Sequence, residues 1–324
     1  MNSEELTAPR TSAMFRRKLL RWYDAHRRDL PWRKTKDAYR IWVSEIMLQQ
    51  TRVGAVLEHY RRFLGRFPTV EVLARARTQS VLAAWSGLGY YRRARNLHAA
   101  AKKVAFERDG AFPDTAEELR ELPGIGPYTA AAIASIAFGD RAAVVDGNVE
   151  RVLQRITGND ELTDREGWSL AQALLSPKRP GDFNQAMMEL GAMVCLPREP
   201  KCLVCPVQEF CAARGSQRRS KPKVRSSVSV CYGLARRNGT VWLVQRPNDA
   251  SLMASMWELP EMIVKSGLPA LARFKHSILD TDFDVAVHEL VVAHGNGRWV
   301  GSSRLSRLAL TGLARKVLRH FDLL

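Results

Sequence analysis

The apolar positions in the first two thirds of the chain recur at helical spacing. From Thr11 to about Ala213 they fall three or four residues apart, as on one face of an α-helix. Two stripes are clearest: Phe15, Leu19, Leu20 and Trp22–Tyr23 form the first, and a longer one runs from Ile41 to Leu64. Glycine and proline interrupt the pattern at Pro31, Pro68, Gly87–Gly89, Gly110–Pro113, Pro123–Pro127 and Gly158–Asn159. The pattern predicts a mainly α-helical domain covering residues 1–213.

The character of the chain changes after this region. Residues 214–227, RGSQRRSKPKVRSS, are rich in basic side chains and have little apolar surface to bury, which is typical of a flexible linker. Beyond them, apolar and polar residues alternate in VSVCYGLA, TVWLVQRP and DFDVAVHELVVA, as in strands. An amphipathic helix is predicted through Leu308, Leu313, Val317, Leu318 and Phe321. We therefore expect a small α+β domain at 228–324.

Composition narrows the class of partner. Lys and Arg outnumber Asp and Glu by 50 to 33, which gives a formal net charge of +17. So basic a protein usually has a polyanionic partner, most often nucleic acid, although a solvated surface without a partner is the alternative. The first fourteen residues do not resemble a secretory signal or a transit peptide. The longest apolar stretch, roughly Thr129–Phe138, is too short to span a bilayer, so no membrane association is expected.

Four cysteines lie close together just before the linker. Cys195, Cys202, Cys205 and Cys211 have the spacing C-x6-C-x2-C-x5-C. Four thiolates in one irregular segment predict a metal centre, either zinc or an iron–sulfur cluster. A pair of disulfides is the alternative, and it is disfavoured in the reducing compartment that we expect for a chain without an export signal. The fifth cysteine, Cys231, lies in an alternating segment and is interpreted as a strand residue.

A glycine-rich connection joins two helical segments at Leu122–Pro127. Gly124 and Gly126 permit a tight turn, and Pro127 suits the first position of the next helix. Backbone amides at such a helix start can hold one phosphate without reading sequence. The alternative is a turn with no ligand.

Two carboxylates accompany this connection. Glu45 lies in VSEIMLQQT, where apolar neighbours would raise the pKa of its carboxyl and prepare it to donate a proton; a solvated acid is the alternative. Asp146 follows the apolar run AAVV and precedes Gly147 and Asn148. For Asp146 the alternative role is an ordinary helix N-cap.

The combination resembles the endonuclease III superfamily of DNA glycosylases, and within it the MutY type, the adenine DNA glycosylases. The segments that carry the resemblance are VSEIMLQQT, GLGYYRRARNLH, LPGIGPYTAAAIASIAFG, VVDGNVERVL and FNQAMMELGAMVC. It runs from about Leu30 to Cys211 and is weaker beyond. It implies a helix-hairpin-helix glycosylase domain with a [4Fe–4S] cluster loop, followed by a Nudix-like module. The implied substrate is double-stranded DNA carrying adenine opposite 8-oxoguanine or guanine.

The resemblance also implies roles for single residues. Glu45 matches the acid that protonates adenine, and Asp146 matches the carboxylate that stabilises the positively charged sugar. The remaining matches are to pocket residues at Tyr128 and Asn148, residues that enter the base stack at Gln50 and Tyr90, hairpin glycines at Gly124 and Gly126, phosphate-binding side chains at Arg198 and Lys201, and cluster ligands at Cys195, Cys202, Cys205 and Cys211.

Tyr128 bears on the reaction class. Relatives that also break the strand have a lysine two places after the second hairpin glycine, where it forms a Schiff base. Here Pro127 and Tyr128 follow Gly126, so no amine is available at that position. The resemblance therefore implies base removal by water, which leaves an intact abasic site.

The C-terminal module departs from the family pattern. LVQRPNDASLMASMWELPEM matches its hallmark, but the glutamate-rich box for magnesium is absent, so diphosphatase activity is not expected. Where the family has a Phe-Ser-His turn that checks 8-oxoguanine, this chain has Leu279 and Asp280 in the Ser and His places. The stretch between Trp257 and His276 is also short for the helix that a Nudix fold places there. We expect weakened discrimination between 8-oxoguanine and guanine.

Two other functions are compatible with these residues. One is a thymine glycosylase acting on T·G mismatches, since related enzymes also carry a tyrosine in the hairpin. The other is a non-catalytic iron–sulfur protein that binds DNA, which the presence of both Glu45 and Asp146 disfavours. We expect a monomer with no identified protein partner, located in the bacterial cytoplasm with the nucleoid, or in the nucleus or mitochondria of a eukaryote.

Overall fold

A computed structural model describes residues 3–214, 225–250, 252–263, 268–278, 281–293 and 296–324. The chain divides into two compact units, one made of Met1–Ala74 with Ala99–Ser220, the other of Arg75–His98 with Lys221–Leu324. The helical segment 75–98 thus groups with the C-terminal part. The spacing of apolar residues along the sequence did not predict this division. The predicted linker, 214–227, lies mostly outside the described residues, and the domain bounds 1–213 and 228–324 stay predictions.

The region expected to be helical consists of helices joined by short connections. They are α1 (Ser3–Thr7), α2 (Pro9–His26), α3 (Ala38–Leu48), α4 (Val53–Arg66), α5 (Val70–Arg75), α6 (Thr78–Trp85), α7 (Tyr91–Glu107), α8 (Ala116–Leu119), α9 (Pro127–Ile133), α10 (Gly147–Thr157), α11 (Asp164–Leu174) and α12 (Pro180–Met193). A π-helical turn, Ala134–Phe138, continues α9. The predicted breaks fall between α-helices, except that Pro127 is the first residue of α9, so the mainly helical fold is confirmed.

Local chemistry fixes several helix ends. Thr163 and Glu166 form a reciprocal capping box at the start of α11. Gly158 ends α10 in the left-handed conformation, with φ of +70°. The long apolar stripe from Ile41 to Leu64, however, is not one element. It divides into α3 and α4 because the chain turns sharply at Gln50, which has φ of +55°.

Large aromatic side chains fill the core of the first unit. Those most completely buried are Phe15, Tyr23, Trp42, Phe63 and Phe183. They come from α2, α3, α4 and α12. The ring centres of Phe15 in α2 and Phe183 in α12 are 6.3 Å apart, so the beginning and the end of the helical region pack against each other. Within the described ranges, none of the helices combines the length and the apolar character needed to cross a membrane.

The C-terminal part is an α+β structure. Its elements are β1 (Ser226–Leu234), β2 (Arg236–Arg237), β3 (Thr240–Gln245), β4 (Trp257–Glu258), β5 (Ala272–Ile278), β6 (Thr281–Glu289), β7 (Gly297–Gly301), α13 (Ser302–Leu305) and α14 (Gly312–His320). One sheet has the order β1-β6-β5, with β1 parallel to β6 and β5 antiparallel to it. In the other, β3 pairs with β2, β4 and β7, all antiparallel.

The two sheets share one apolar core with the last helix. Leu243 of β3, Val287 of β6 and Val317 of α14 are fully buried in it. The predicted amphipathic helix is present, but it begins at Gly312, so Leu308 precedes it. In the described parts of the stretch after Trp257, residues 259–263 and 268–271, there is no helix. Leu279 and Asp280 lie outside the described residues.

Candidate active site and cysteine loop

Helix α3 carries Glu45 into the interior of its unit. The carboxylate of Asp37 caps the helix start, and the residues on both sides of Glu45 are buried. Glu45 itself is only 6% exposed. Burial raises the pKa of its carboxyl to about 7. Glu45 therefore holds a proton through part of the neutral range, as a general acid requires, and the alternative of a solvated acid is excluded.

Tyr128 contacts Glu45 directly. Its hydroxyl donates a hydrogen bond to Oε2 of Glu45 at 2.8 Å and lies 3.1 Å from the sulfur of Met188. Burial, with the charges of Glu45 and Asp146, raises the pKa of the Tyr128 hydroxyl well above its ordinary value. The phenol therefore stays protonated at neutral pH and acts as a donor. Tyr128, two places after Gly126, thus offers a hydroxyl and no amine.

Asp146 is both the N-cap of α10 and a neighbour of the acid. One carboxylate oxygen accepts the amides of Asn148 and Val149, at 2.9 and 2.8 Å. The other accepts the side-chain amide of Asn148 at 2.9 Å. The negative charge of Asp146 also contributes to the raised pKa of Glu45. The N-cap role is thus correct as structure, and it holds a carboxylate within electrostatic reach of the buried acid.

Arg151 connects this end of α10 with the cysteine loop. Its Nη2 donates to Oδ1 of Asn148 at 2.9 Å and to the carbonyl of Gly191 at 2.8 Å, and its Nε donates to the carbonyl of Cys195 at 2.9 Å. Because Asn148 donates to Asp146, a continuous hydrogen-bonded chain runs from Asp146 to the first cysteine. Arg151 was not among the residues predicted from the sequence. The available signal was its position one helical turn after Asn148, on the same face.

Helix α12 fixes the backbone that leads to Asp146. The buried side chain of Asn184 accepts the amide of Val144 at 3.2 Å and donates to the carbonyl of Ala142 at 2.8 Å. One side chain thereby holds the extended segment before the N-cap as a paired strand would. Asn184 was not predicted from the sequence either.

Gly191, two turns after Asn184 on α12, lies against Asn148. A Cβ atom at Gly191 would come within 2.7 Å of the Cβ of Asn148 and 2.9 Å of its carbonyl oxygen. Asn184 and Gly191 both belong to the segment FNQAMMELGAMVC. An asparagine and a glycine seven places apart on one face of an otherwise apolar helix were the signal that could have identified them.

A second buried acid in the same unit is in the opposite protonation state. Glu189 is 1% exposed, and Arg28 and Arg33 each place a guanidinium nitrogen 2.6 Å from its carboxylate. Burial alone would raise the pKa of Glu189, but the hydrogen bonds from the two arginines outweigh it and lower this pKa to about 2. Arg33 also acts on Glu45, whose pKa it lowers slightly against the effect of burial. Partners, not burial, thus decide which acid is ionised.

The hairpin has the predicted backbone. Gly124 lies in the left-handed region, with φ of +76°, and the amide of Ile125 closes the turn on the carbonyl of Leu122 at 3.1 Å. Gly126 is the N-cap of α9, and Pro127 is its first residue. Since glycine has no side chain with which to cap the helix, the first amides of α9 receive no cap from Gly126.

Gln50 and Tyr90, the residues matched to the base stack, lie in different units. Each has an exposed side chain, and Tyr90 is 40% exposed. Each also has a positive φ, +55° for Gln50 and +47° for Tyr90, which is uncommon for a residue with a side chain. Both therefore lie at sharp surface turns directly beside a helix end.

The four matched cysteines line a single pocket. Arg155, which is buried, donates to the sulfur of Cys195 at 3.2 Å and to the carbonyl of Leu196 at 2.6 Å. Burial raises the pKa of the Cys205 thiol to about 11. Among the described residues, no three Cys, His, Asp or Glu side chains are grouped so that they could hold a single metal ion. Four sulfur donors around one pocket, with a guanidinium to offset negative charge, nevertheless fit a polynuclear centre. Arg198 and Lys201 are exposed on the same loop.

Residues 43–176 match the family model described as HhH-GPD superfamily base excision DNA repair protein. The human adenine DNA glycosylase is 49% identical over 230 residues, which cover 67% of this chain and 42% of that protein. The Arabidopsis thaliana adenine DNA glycosylase is 39% identical over 322 residues, covering 83% of this chain and 51% of that protein. A solved thermostable thymine-DNA glycosylase has a TM-score of 0.59 at 32% identity, covering 63% of this chain and 96% of that one. The chain belongs to the HhH-GPD superfamily.

Membership in the HhH-GPD superfamily confirms the predicted family and its helical fold. Endonuclease III, in a trapped covalent intermediate with DNA, has the same fold at 20% identity and a TM-score of 0.54. The matched segment contains Glu45, Tyr128 and Asp146, whereas the cysteine loop lies beyond it. The chain spans about half the length of the human and Arabidopsis relatives.

Proposed function

We propose that the protein is a monofunctional DNA glycosylase that removes adenine from mismatched double-stranded DNA. The observation that carries the proposal is a buried Glu45 with a carboxyl pKa of about 7, hydrogen-bonded by Tyr128 and within electrostatic reach of Asp146. Adenine DNA glycosylases are among the relatives of this chain, which supports adenine as the base.

The proposed chemistry divides between the two carboxyl groups. Glu45 donates its proton to a ring nitrogen of the flipped adenine, which turns a poor leaving group into a good one. As the glycosidic bond breaks, positive charge develops on the deoxyribose, and the carboxylate of Asp146 stabilises it. Water then adds to the sugar. Tyr128 has no amine with which to form a Schiff base, so the strand stays intact at the abasic site.

Recognition of the duplex rests on charge and on unstacking. The net charge of +17 favours a polyanion. The first amides of α9 are proposed to hold a phosphate, together with Arg198 and Lys201 from the cysteine loop. Gln50 and Tyr90 are proposed to enter the base stack and offset part of the few kcal/mol that unstacking costs. We expect the protein to do this as a monomer.

The base opposite adenine is proposed to be either 8-oxoguanine or guanine, with weak discrimination between them. We expect similar single-turnover excision rates with 8-oxoguanine and guanine, because Leu279 offers no side-chain hydrogen bond and Asp280 brings a negative charge near DNA. A preference of several hundredfold for 8-oxoguanine would contradict this expectation.

We propose a [4Fe–4S] cluster as the centre held by Cys195, Cys202, Cys205 and Cys211. Four thiols around one pocket suit either tetrahedral zinc or a cuboidal cluster. The resemblance to the endonuclease III superfamily favours the cluster, which would tie the loop to α10 through Arg155. Broad visible absorbance with four iron atoms per chain would support the cluster; one equivalent of zinc without that absorbance would overturn it.

Duplexes that carry each mismatch test the proposal directly. After incubation with the protein, alkali breaks a strand wherever a base has been lost. We expect breaks at adenine opposite 8-oxoguanine or guanine, and none before alkali. A stoichiometric adduct with abasic-site DNA after borohydride reduction would overturn the monofunctional mechanism.

The same duplexes distinguish the one rival that a specific observation favours. A solved thymine-DNA glycosylase is 32% identical to this chain, and the match covers 96% of that protein. Breaks at thymine opposite guanine, with none at adenine, would establish that rival and exclude our proposal.

A further inference from the structure

The loop that presents Tyr90 is short and conformationally demanding. It connects α6 to α7 and contains three residues with positive φ: Gly87 at +108°, Gly89 at +70° and Tyr90 at +47°. The glycines adopt this conformation readily, but a tyrosine adopts it only when its surroundings hold it there. The neighbours of the loop therefore determine how Tyr90 is presented.

Two side chains hold the middle of the loop. The indole nitrogen of Trp85 donates to the carbonyl of Gly89 at 3.2 Å, and Nη2 of Arg93 donates to the carbonyl of Leu88 at 3.2 Å. The Arg93 guanidinium also lies 5.1 Å from the centre of the Tyr90 ring. These contacts come from the helices that flank the loop, so they are local.

The two ends of the loop are held by the C-terminal part of the same unit. Ser86 precedes the loop and Tyr91 follows it, and both side-chain hydroxyls donate to the carbonyl of Leu310, each at 3.2 Å. Ser86 is 7% exposed, Tyr91 4% and Leu310 0%. A single buried carbonyl, more than 200 residues away in sequence, thus fixes the spacing of the loop ends.

Arg315 of α14 completes this contact. Its Nε and Nη2 donate to the hydroxyl oxygen of Ser86 at 3.1 and 2.8 Å. Ser86 therefore donates to one residue of the C-terminal part and accepts from another, which uses both capacities of a hydroxyl group. Bonds from a charged donor in a buried place are among the stronger hydrogen bonds.

A second contact lies further from the loop. Nε2 of Gln79 in α6 donates to the carbonyl of Ser255 at 3.0 Å, and Arg95 in α7 donates to the carbonyl of Ala254. The helices on both sides of the loop are thus bonded to the C-terminal part. The grouping of residues 75–98 with that part agrees with these bonds.

We propose that Leu310 and Arg315 act as positioning residues that hold the Tyr90 loop in the conformation that enters the base stack. The C-terminal part then contributes to opening the duplex. Its hydrogen bonds to Ser86 and Tyr91 fix the conformation in which Tyr90 is presented. This inference rests on the proposed glycosylase function. Ser86, Tyr91, Leu310 and Arg315 are not proposed to contact the reacting base.

The test removes the hydroxyls and keeps the fold. Ser86→Ala and Tyr91→Phe, singly and together, delete the donors to Leu310 with little change in volume. The probe is a duplex with 2-aminopurine beside a mismatch whose adenine is a 2′-fluoro analogue that resists excision. Entry of Tyr90 unstacks the 2-aminopurine and raises its fluorescence. We expect the double variant to lose at least half of that rise, and its single-turnover excision constant on ordinary adenine to fall at least tenfold.

The controls separate a positioning role from a structural one. Ser306→Ala removes an exposed serine hydroxyl from the same part and should behave like wild type. If the double variant melts at a lower temperature yet keeps wild-type fluorescence and excision, Leu310 and Arg315 only stabilise the fold and the inference is wrong. If the double variant does not fold, Tyr91→Phe alone decides by the same criteria. A wild-type protein without excision activity would instead refute the proposed function.

Discussion

The hydroxyl of Tyr128 lies 2.8 Å from Oε2 of Glu45 and donates a hydrogen bond to it. The bond stabilises the ionised form of Glu45, whereas burial favours the protonated form and has the larger effect. The pKa of the carboxyl, about 7, is the result of this opposition. Burial therefore keeps the acid weak enough to hold a proton, and the bond from Tyr128 keeps it strong enough to release that proton to a base.

Replacing Tyr128 by phenylalanine should shift the pH dependence of excision. The hydrogen bond lowers the pKa of Glu45, so its loss raises that pKa further. Excision requires protonated Glu45 and falls as pH rises through the pKa. The alkaline limb of the single-turnover pH profile should therefore move to higher pH in Tyr128→Phe. An unchanged or lower midpoint would contradict the assigned role.

Asp146→Asn separates the cap from the charge. Asparagine caps helices about as well as aspartate, so the free energy of unfolding should change by less than about 1 kcal/mol. Excision should fall at least a hundredfold, since one electrostatic contact in a transition state contributes roughly 10²–10³ in rate. Asp146→Ala, which loses both functions, serves as the comparison. Near-normal excision in the asparagine variant would show that Asp146 is only a cap.

Arg151→Met tests the connection between Asn148 and the cysteine loop. The substitution removes a guanidinium bonded to Asn148, Gly191 and Cys195 and leaves partly buried acceptors unpaired, at a cost of up to about 1–3 kcal/mol each. Excision should fall at least tenfold, and visible absorbance should be lost at a lower temperature than in wild type. Arg165→Met, at an exposed arginine of α11, is the matched control. Equal behaviour of the two variants would exclude a coupling role.

Gly191→Ala tests whether α12 positions Asn148. The added Cβ would lie 2.7 Å from the Cβ of Asn148, so the helix or the N-terminus of α10 must shift. We expect a destabilisation of about 1–3 kcal/mol and a loss of excision. Gly65→Ala is the control, because nothing lies within 4 Å of a Cβ there and helical alanine adds up to about 1 kcal/mol. Urea unfolding compares the two, and a silent Gly191→Ala would refute the packing argument.

The residues that sequence could identify share one property: their signal is local. Glu45 lies among apolar helical positions, Gly124 and Gly126 form a turn with Pro127, and the cysteines are close in sequence. The helical fold and the family followed from such segments. The break between α3 and α4 was missed because its cause, the positive φ of Gln50, has no glycine to mark it.

What sequence could not predict depends on distant pairs. Asn184 acts on Ala142 and Val144 across forty residues, and Leu310 holds both ends of a loop more than 200 residues away. Neither contact produces a periodic pattern of apolar and polar residues in the sequence. The strands β2, β4 and β7 were missed because they are short. The strand β5 was missed although Ala272 and Phe274 alternate with basic residues. The compartment, the monomeric state and the domain bounds stay predictions.

The single-turnover excision of adenine by Glu45→Gln tests the central claim most directly. Glutamine keeps the size and polarity of the side chain but has no proton to donate at neutral pH. We predict that the variant binds the mismatched duplex like wild type and excises adenine at least a thousandfold more slowly, with no alkaline limb near pH 7. Excision within tenfold of wild type would contradict the claim that a proton from Glu45 releases the base.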